Sequence, residues 1–304
     1  MLQLTYTGTT TIPIEAECIA PNTLAGKTVA EIAALPVQHG NAPAPLGEFF
    51  RVEGDAGDQQ IVMVGDCSRV KWVGANMTSG SLTIDSNIGM HCGAEMRGGS
   101  IEVRGNTGDW LGAEMRGGTI RVRGDAGHLV GGCYRGGRSG MRGGMILIDG
   151  KAGNEIGGHM RRGFIAIGGD IGDFPGVSML AGSVFVFGKC GQRAGAGMKR
   201  GTLAFFGDAP ALLPTFRRDC LYEPVFLRIY LRELRKLGFP VADEFIHGSY
   251  HRHSGDLVSL GKGEILVFDR SKACPYRDRQ GAVRFGDCGR PLTVAVRIFC
   301  CQIG

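Results

Sequence analysis

Five cations recur at one place in a repeating pattern: Arg97, Arg116, Arg142, Arg161 and Lys199 each directly follow a methionine. The chemistry open to such a set is the holding of anions, through charge-assisted hydrogen bonds to carboxylates or phosphates. Thr78 and Leu180 occupy the same place in two further repeats, so the row is interrupted only once between its first and last cation. Glu95 and Glu114 precede two of the methionines and offer internal neutralisation, which would make the row an ordinary charged surface. The alternative is an acidic partner surface or a polyanionic ligand lying along it. Arg135 and Arg138 add two more cations in a glycine-rich stretch, a plausible contact element.

Other reactive residues do not assemble into a recognisable site. No triad, paired-carboxylate or metal-ligand signature is present. The string PNTLAGKT at 21–28 resembles a phosphate-binding loop, but Pro21 stands where the first glycine is required and the following helix is short. His247, His251 and His253 are close enough in sequence to suggest a metal, yet no carboxylate or cysteine motif completes such a site. They read instead as a basic, aromatic loop at an interface. The cysteines, at 18, 67, 92, 133, 190, 220, 274, 288, 300 and 301, contain no Cys-x-x-Cys pair and read as free thiols of a reducing cytoplasm.

The element that must position the cations is a repeat. Met77, Met96, Met115, Met141, Met160, Met179 and Met198 lie 19, 19, 26, 19, 19 and 19 residues apart, the long interval holding a seven-residue insertion around Cys133 to Ser139. The unit from Met96 shows the pattern, with Gly98, Gly99, Ile101, Val103, Gly105, Gly108, Leu111 and Gly112, and a degenerate copy runs from Ile61 to Gly74. Ile101-x-Val103 alternates, so a short strand puts two branched side chains on one face. Glycines at three- and four-residue intervals mark corners or close approaches. One such unit cannot bury its own apolar face; stacked units can, each strand pairing with its equivalent about 4.8 Å away. The expectation is an all-β core: a right-handed parallel β-helix of about seven 19-residue coils, with Met, Ile and Val ladders inside and small α+β flanks. The glycine spacing leaves no room for a dinucleotide-binding helix.

Composition agrees. There are 52 glycines against 12 prolines without a collagen period, and 43% hydrophobic residues supply a core. A net charge of +5 does not point to nucleic acid, no run approaches a membrane span, and Met1 to Ile12 lacks the features of a signal peptide. Residues 1–56 read as a cap, with strands at Leu2–Thr7 and Ile12–Cys18 and a capping box, Thr28-x-x-Glu31, opening a short helix. Residues 57–209 form the repeat domain. Residues 210–270 hold an amphipathic helix at Tyr222–Leu237, expected to bury Phe226, Ile229, Tyr230, Leu234 and Leu237, and a strand at Glu264–Phe268. Residues 271–304 match neither pattern and read as a poorly ordered tail.

The tandem Gly-Gly-x-Ile-x-Val-x-Gly-x-x-Gly repeat resembles the C subunit of formylmethanofuran dehydrogenase and, more distantly, the glycine-repeat domain of the glutamate synthase large subunit. Leu213-Pro-Thr-Phe216, the Phe226–Leu237 segment, Ser254-Gly-Asp-Leu257 and Gly261-Lys-Gly-Glu-Ile265 are similar to the C subunit of the bacterial formyltransferase/hydrolase complex. The resemblance covers about residues 1–269. It implies a non-catalytic scaffold subunit in the cytoplasm, packed against amidohydrolase-like, dehydrogenase-like and formyltransferase subunits, with neither nucleic acid nor membrane as partner. Such complexes pass a formyl group between tetrahydromethanopterin and a methanofuran-type carrier. The bacterial version releases formate by hydrolysis, in the route from formaldehyde to formate; the archaeal version couples the step to redox, with molybdenum or tungsten in a partner subunit. No cofactor is assigned to this chain itself. The carriers bear glutamate-rich tails, which would give the cationic row a ligand. Alternatives are the redox version, a glutamate-synthase-like accessory domain, and a free-standing β-helix polysaccharide enzyme. The last should line a groove with carboxylates rather than cations.

Overall fold

The structure, a computed structural model, describes residues 1–272. The expected tail at 271–304 therefore lies, from residue 273 onward, outside the described residues. Before the repeats come β1 (Leu2–Tyr6), β2 (Ile14–Glu15), α1 (Pro21–Leu24), α2 (Val29–Ala33), β3 (Pro36–His39), β4 (Ala42–Pro45) and β5 (Phe50–Gly54). The repeats supply β6 (Gln60–Val64), β7 (Val70–Lys71), β8 (Ser81–Ile84), β9 (Ser100–Val103), β10 (Thr119–Val122), β11 (Arg142–Ile148), β12 (Arg162–Ile167), β13 (Ser183–Val186) and β14 (Arg200–Phe205). Then follow β15 (Arg217–Tyr222), α3 (Val225–Lys236), α4 (Asp243–His247), β16 (Tyr250–Gly255) and β17 (Lys262–Phe268). The protein is mostly β. A large mixed sheet of 13 strands runs in the order β15-β16-β17-β14-β13-β12-β11-β10-β9-β8-β6-β1-β5, beside a small sheet β4-β3-β2-β7.

The sheet follows the 19-residue register. Ser81 pairs with Ser100, Ser100 with Thr119, Thr119 with Met145 across the insertion, and Met145 with Phe164, all in parallel. A second line of parallel bridges joins Cys67, Ile88, Thr107 and Ala126 in turn, and Ala152, Ile171 and Cys190 after the insertion. A third line lies at the methionines. The N–H of Arg97 donates to the Met77 carbonyl at 2.8 Å, that of Arg116 to Met96 at 2.7 Å, and that of Lys199 to Met179 at 2.8 Å. Each repeat is thus bonded to the next at three separate places, and all seven marker methionines are fully buried between them.

Polar side chains tie the corners. Asn87 Oδ1 accepts from the Asn106 N–H, Asn106 Oδ1 from Asp125 and Asp125 Oδ1 from Lys151, at 2.7–2.8 Å. A parallel ladder runs Asp109, His128, Asn154, Asp173, each accepting from the backbone of the next repeat. These bonds satisfy turn N–H groups that no strand partner reaches.

The flanks join the same sheet. β1 pairs in parallel with β6 and antiparallel with β5, while β17 pairs in parallel with β14 and carries β16 and β15 outward as an antiparallel edge. The capping box at Thr28 and Glu31 opens α2 as expected, and the 21–28 string forms the single-turn helix α1 and its exit rather than a phosphate loop.

Two expectations in the C-terminal region are corrected. Helix α3 buries Leu227, Leu231 and Leu234, whereas Ile229 is 70% exposed and Tyr230 and Leu237 are also exposed. Both stripes have helical spacing, and the sheet selects the leucines because they complete a second apolar layer. That layer contains Leu147, Phe164, Ala166, Phe185, Ala204 and Leu266 from the sheet. The segment 247–253 is not a loop: His247 ends α4, and His251 and His253 lie within β16.

Candidate anion-binding face

The row of five cations is aligned by its backbone. Each cation's N–H is bonded to the marker methionine carbonyl one repeat earlier, which fixes Arg97, Arg116, Arg142, Arg161 and Lys199 along one line of the stack, with Leu180 between the last two. All five cations are exposed. Neighbours from Arg97 to Arg161 are one strand spacing apart, about 4.8 Å between backbones, so like charges repel unless something neutralises them.

Neutralisation is uneven. Glu95 pairs with Arg116 at 3.1 Å and Glu114 with Arg142 at 3.8 Å, each reaching one repeat forward. The residues preceding the later marker methionines are Gly140, His159, Ser178 and Gly197, which carry no carboxylate. Among the described residues, no carboxylate lies within 4 Å of Arg161 or Lys199. The internal-neutralisation reading therefore describes Arg116 and Arg142 and fails at both ends of the row, at Arg97 and at Arg161 and Lys199.

More cations gather at the C-terminal end. Arg162 and Arg200 follow Arg161 and Lys199 directly, and Lys262 is paired with Arg200 across β14 and β17. Sequence reasoning missed these three because the repeat places glycine at 98, 117 and 143, where Arg162 and Arg200 stand. A cavity of about 440 Å³ opens at Lys199, lined by Arg138 of the insertion, His159, Ser178, Leu180 and Lys199 of the repeats, and Asp256, Val258 and Ser259 of the loop before β17. Asp256 is buried. Burial pushes its carboxyl pKa up, but the N–H groups of Gly197 and Val258, at 2.9 and 3.1 Å, outweigh this and hold it below the usual range. Its charge is thus directed at backbone donors.

The insertion is anchored by an aromatic column that the sequence reading did not identify. Trp72 stacks on His91 with centroids 4.2 Å apart, and Tyr134 packs against Trp110 at 4.9 Å and His91 at 5.6 Å. The Tyr134 hydroxyl lies 3.0 Å from His91 Nδ1, and its backbone N–H donates to Glu114 Oε1 at 3.3 Å. Burial, with the charge of Lys71, lowers the His91 pKa, and burial raises that of Tyr134, so both rings stay neutral. The 19-residue spacing of Trp72, His91 and Trp110 was the available signal.

His251 accepts from Arg218 at 2.9 Å and faces Asp269 at 3.6 Å, and burial lowers the pKa of His253. Among the described residues, no group of three His, Cys, Asp or Glu side chains is placed to hold a metal ion. No helix among them is long and apolar enough to cross a membrane.

No family model matches the chain. Curated relatives do. Over 80 residues it is 46% identical to the C subunit of the molybdenum-containing formylmethanofuran dehydrogenase 1 of Methanothermobacter marburgensis, a match covering 26% of this chain and 20% of the relative. Over 84 residues it is 38% identical to the C subunit of the tungsten-containing formylmethanofuran dehydrogenase 2 of Methanothermobacter thermautotrophicus, covering 26% of this chain and 31% of the relative. The chain thus spans only about a fifth to a third of these relatives' length. A solved structure matches far more: a chain of the formyltransferase/hydrolase complex of Methylorubrum extorquens, crystallised with methylofuran. It is 34% identical, with a TM-score of 0.80, and the match covers 87% of this chain and 98% of that one. The chain belongs to the family of glycine-repeat C subunits of these complexes. Coverage this wide carries family membership beyond the glycine repeats into the flanking segments.

Proposed function

We propose that this chain is the non-catalytic scaffold, the C subunit, of a cytoplasmic formyltransferase/hydrolase complex. In this reading the complex handles formyl groups between tetrahydromethanopterin and a methanofuran-type carrier and releases formate. The chain packs against amidohydrolase-like, dehydrogenase-like and formyltransferase subunits. The observation that carries the reading is the near full-length match to a chain of the Methylorubrum complex at 34% identity, against a quarter of this chain for the dehydrogenase relatives.

The scaffold is read as a right-handed parallel β-helix of about seven coils at 57–209, capped by 1–56 and extended by 210–270. The three lines of inter-repeat bonding and the fully buried methionine ladder support it. The row Arg97, Arg116, Arg142, Arg161 and Lys199 is read as the place where the carrier's glutamate-rich tail, or an acidic partner surface, lies. Residues without a carboxylate partner at its C-terminal end support an external anion.

The second reading, a redox complex with molybdenum or tungsten in a partner subunit, is favoured by the names of the curated relatives. Metal analysis and turnover of the purified native complex separate the two. The expected result is formate production from formyl-tetrahydromethanopterin with no electron acceptor and no stoichiometric molybdenum or tungsten. Stoichiometric metal with acceptor-dependent turnover would establish the redox reading instead.

A further inference from the structure

We propose that the seven-residue insertion closes a pocket that takes one anionic group, a carboxylate at the end of an acidic chain. It would do so at the C-terminal end of the cationic face. This rests on reading that face as an anion-binding surface, and it adds where the anion is gripped and what grips it.

Three observations converge there. First, the cations are concentrated and unopposed. Arg138, Arg161, Arg162, Lys199, Arg200 and Lys262 have no carboxylate within 4 Å among the described residues, whereas the mid-row cations Arg116 and Arg142 do. Adjacent like charges in paired strands cost stability, so this cluster favours an external anion more than the middle of the row does. Second, the 440 Å³ cavity beside it has the size of a small-molecule subsite and a mixed lining. Leu180 gives an apolar patch, Ser178 and Ser259 supply hydroxyl donors, and Arg138 and Lys199 supply charge. Asp256 also borders it, but its oxygens accept from the Gly197 and Val258 N–H groups.

Third, Arg138 is held over the cavity by both ends of its loop. At the entry, Tyr134 is packed in the Trp72–His91–Trp110 column and bonded to Glu114. At the exit, the Gly140 N–H donates to the carbonyl of His159, itself a lining residue, at 2.9 Å, and Ser139 is buried. A loop tethered this way loses little entropy when its guanidinium meets a ligand, which is what preorganisation contributes to affinity. Tyr134 is therefore a positioning residue: it touches no ligand and sets where Arg138 stands.

The test is calorimetric binding of tetraglutamate and of tripolyphosphate to the full chain in its purified complex, with two paired variants. Arg138→Ala with Lys199→Ala is expected to weaken tetraglutamate by about tenfold or more, as the loss of two charge-assisted contacts implies. Arg116→Ala with Arg142→Ala should weaken it by only about twofold, because both are already partnered, by Glu95 and Glu114. Tyr134→Ala should weaken binding and shift tryptophan emission as the column opens, and Tyr134→Phe should restore both. Equal losses in the two paired variants would overturn the pocket while leaving the row as an anion surface. Wild-type complex that binds neither probe would overturn both. Tighter binding of tripolyphosphate with the same variant dependence would overturn the carboxylate assignment in favour of phosphate.

Discussion

Gly118→Ala is expected to lower the melting temperature of the chain in its assembly by roughly 4–20 °C, from a cost of about 2–5 kcal/mol at about 2–4 °C per kcal/mol for a chain of this size. Two costs add. Gly118 has φ +86°, a conformation that costs a residue with a Cβ about 1–2 kcal/mol. Its Cβ would also stand 2.7 Å from Cε of Met96 and 2.8 Å from the carbonyl oxygen of Gly99, one repeat earlier in the stack. Overpacking of this kind costs about 1–3 kcal/mol. The same position is Gly99, Gly144, Gly163, Gly182 and Gly201 in other repeats, with φ between +83° and +108°. Gly136, in the insertion, separates the two terms: φ is +81° but a Cβ would meet nothing within 4 Å. Gly136→Ala should therefore cost only the conformational part. Equal shifts for both substitutions would mean that close stacking of the repeats contributes nothing.

Arg121→Met is expected to loosen helix α3 from the sheet at a cost of roughly 2–4 kcal/mol, toward the lower side of the range for breaking a buried ion pair. Arg121 stands on the outward face of β10, with its side chain 10% exposed. It donates to Asp149 Oδ1 at 2.5 Å and Oδ2 at 3.3 Å, and its other guanidinium contacts are the carbonyls of Leu237 and Gly238, at 3.4 and 3.5 Å. It also lies 5.3 Å from the Phe239 ring centroid. One side chain thus links the sheet to the carbonyl end of α3, where a cation is favoured. Asp149 keeps a second partner, Arg123 at 3.4 Å, which limits the loss. Hydrogen exchange should show faster amide exchange in 225–236 with the repeat strands unchanged. Arg121→Lys should fall between, because an ammonium keeps the charge and loses the fork. Uniform acceleration across the sheet would show that Arg121 supports the whole stack rather than the docking of α3.

What could be read from the sequence was whatever repeats. The methionines, the 19-residue register, the seven-residue insertion and the alignment of the cations all follow from one period, and a period leaves the same mark in every unit. What escaped was set by contacts between different units. The buried stripe of α3 depends on the sheet beneath it, and both of its apolar stripes have helical spacing. A signal for that sheet existed: the outward mid-strand residues change from Thr83, Glu102 and Arg121 to Leu147, Ala166, Phe185 and Ala204, where α3 and α4 cover them. The histidines of 247–253 were misread because their own residues do not mark where α4 ends and β16 begins; β16 takes its strand form from pairing with both β15 and β17. The extra cations at 162, 200 and 262 were hidden by the consensus itself, since the first two sit where earlier repeats have glycine and the third lies beyond the repeats.

The central claim, that this chain organises its partners and performs none of their chemistry, is tested most directly by co-expressing the other subunits with and without it. The mass of the assembly and formate release from formyl-tetrahydromethanopterin are then measured on both. With the chain present, one stable complex that includes it is expected. Without it, the remaining subunits should separate, and coupled formyl transfer and hydrolysis should be lost. A full-size, fully active complex lacking this chain, or formyl-group turnover by the chain alone, would contradict the account.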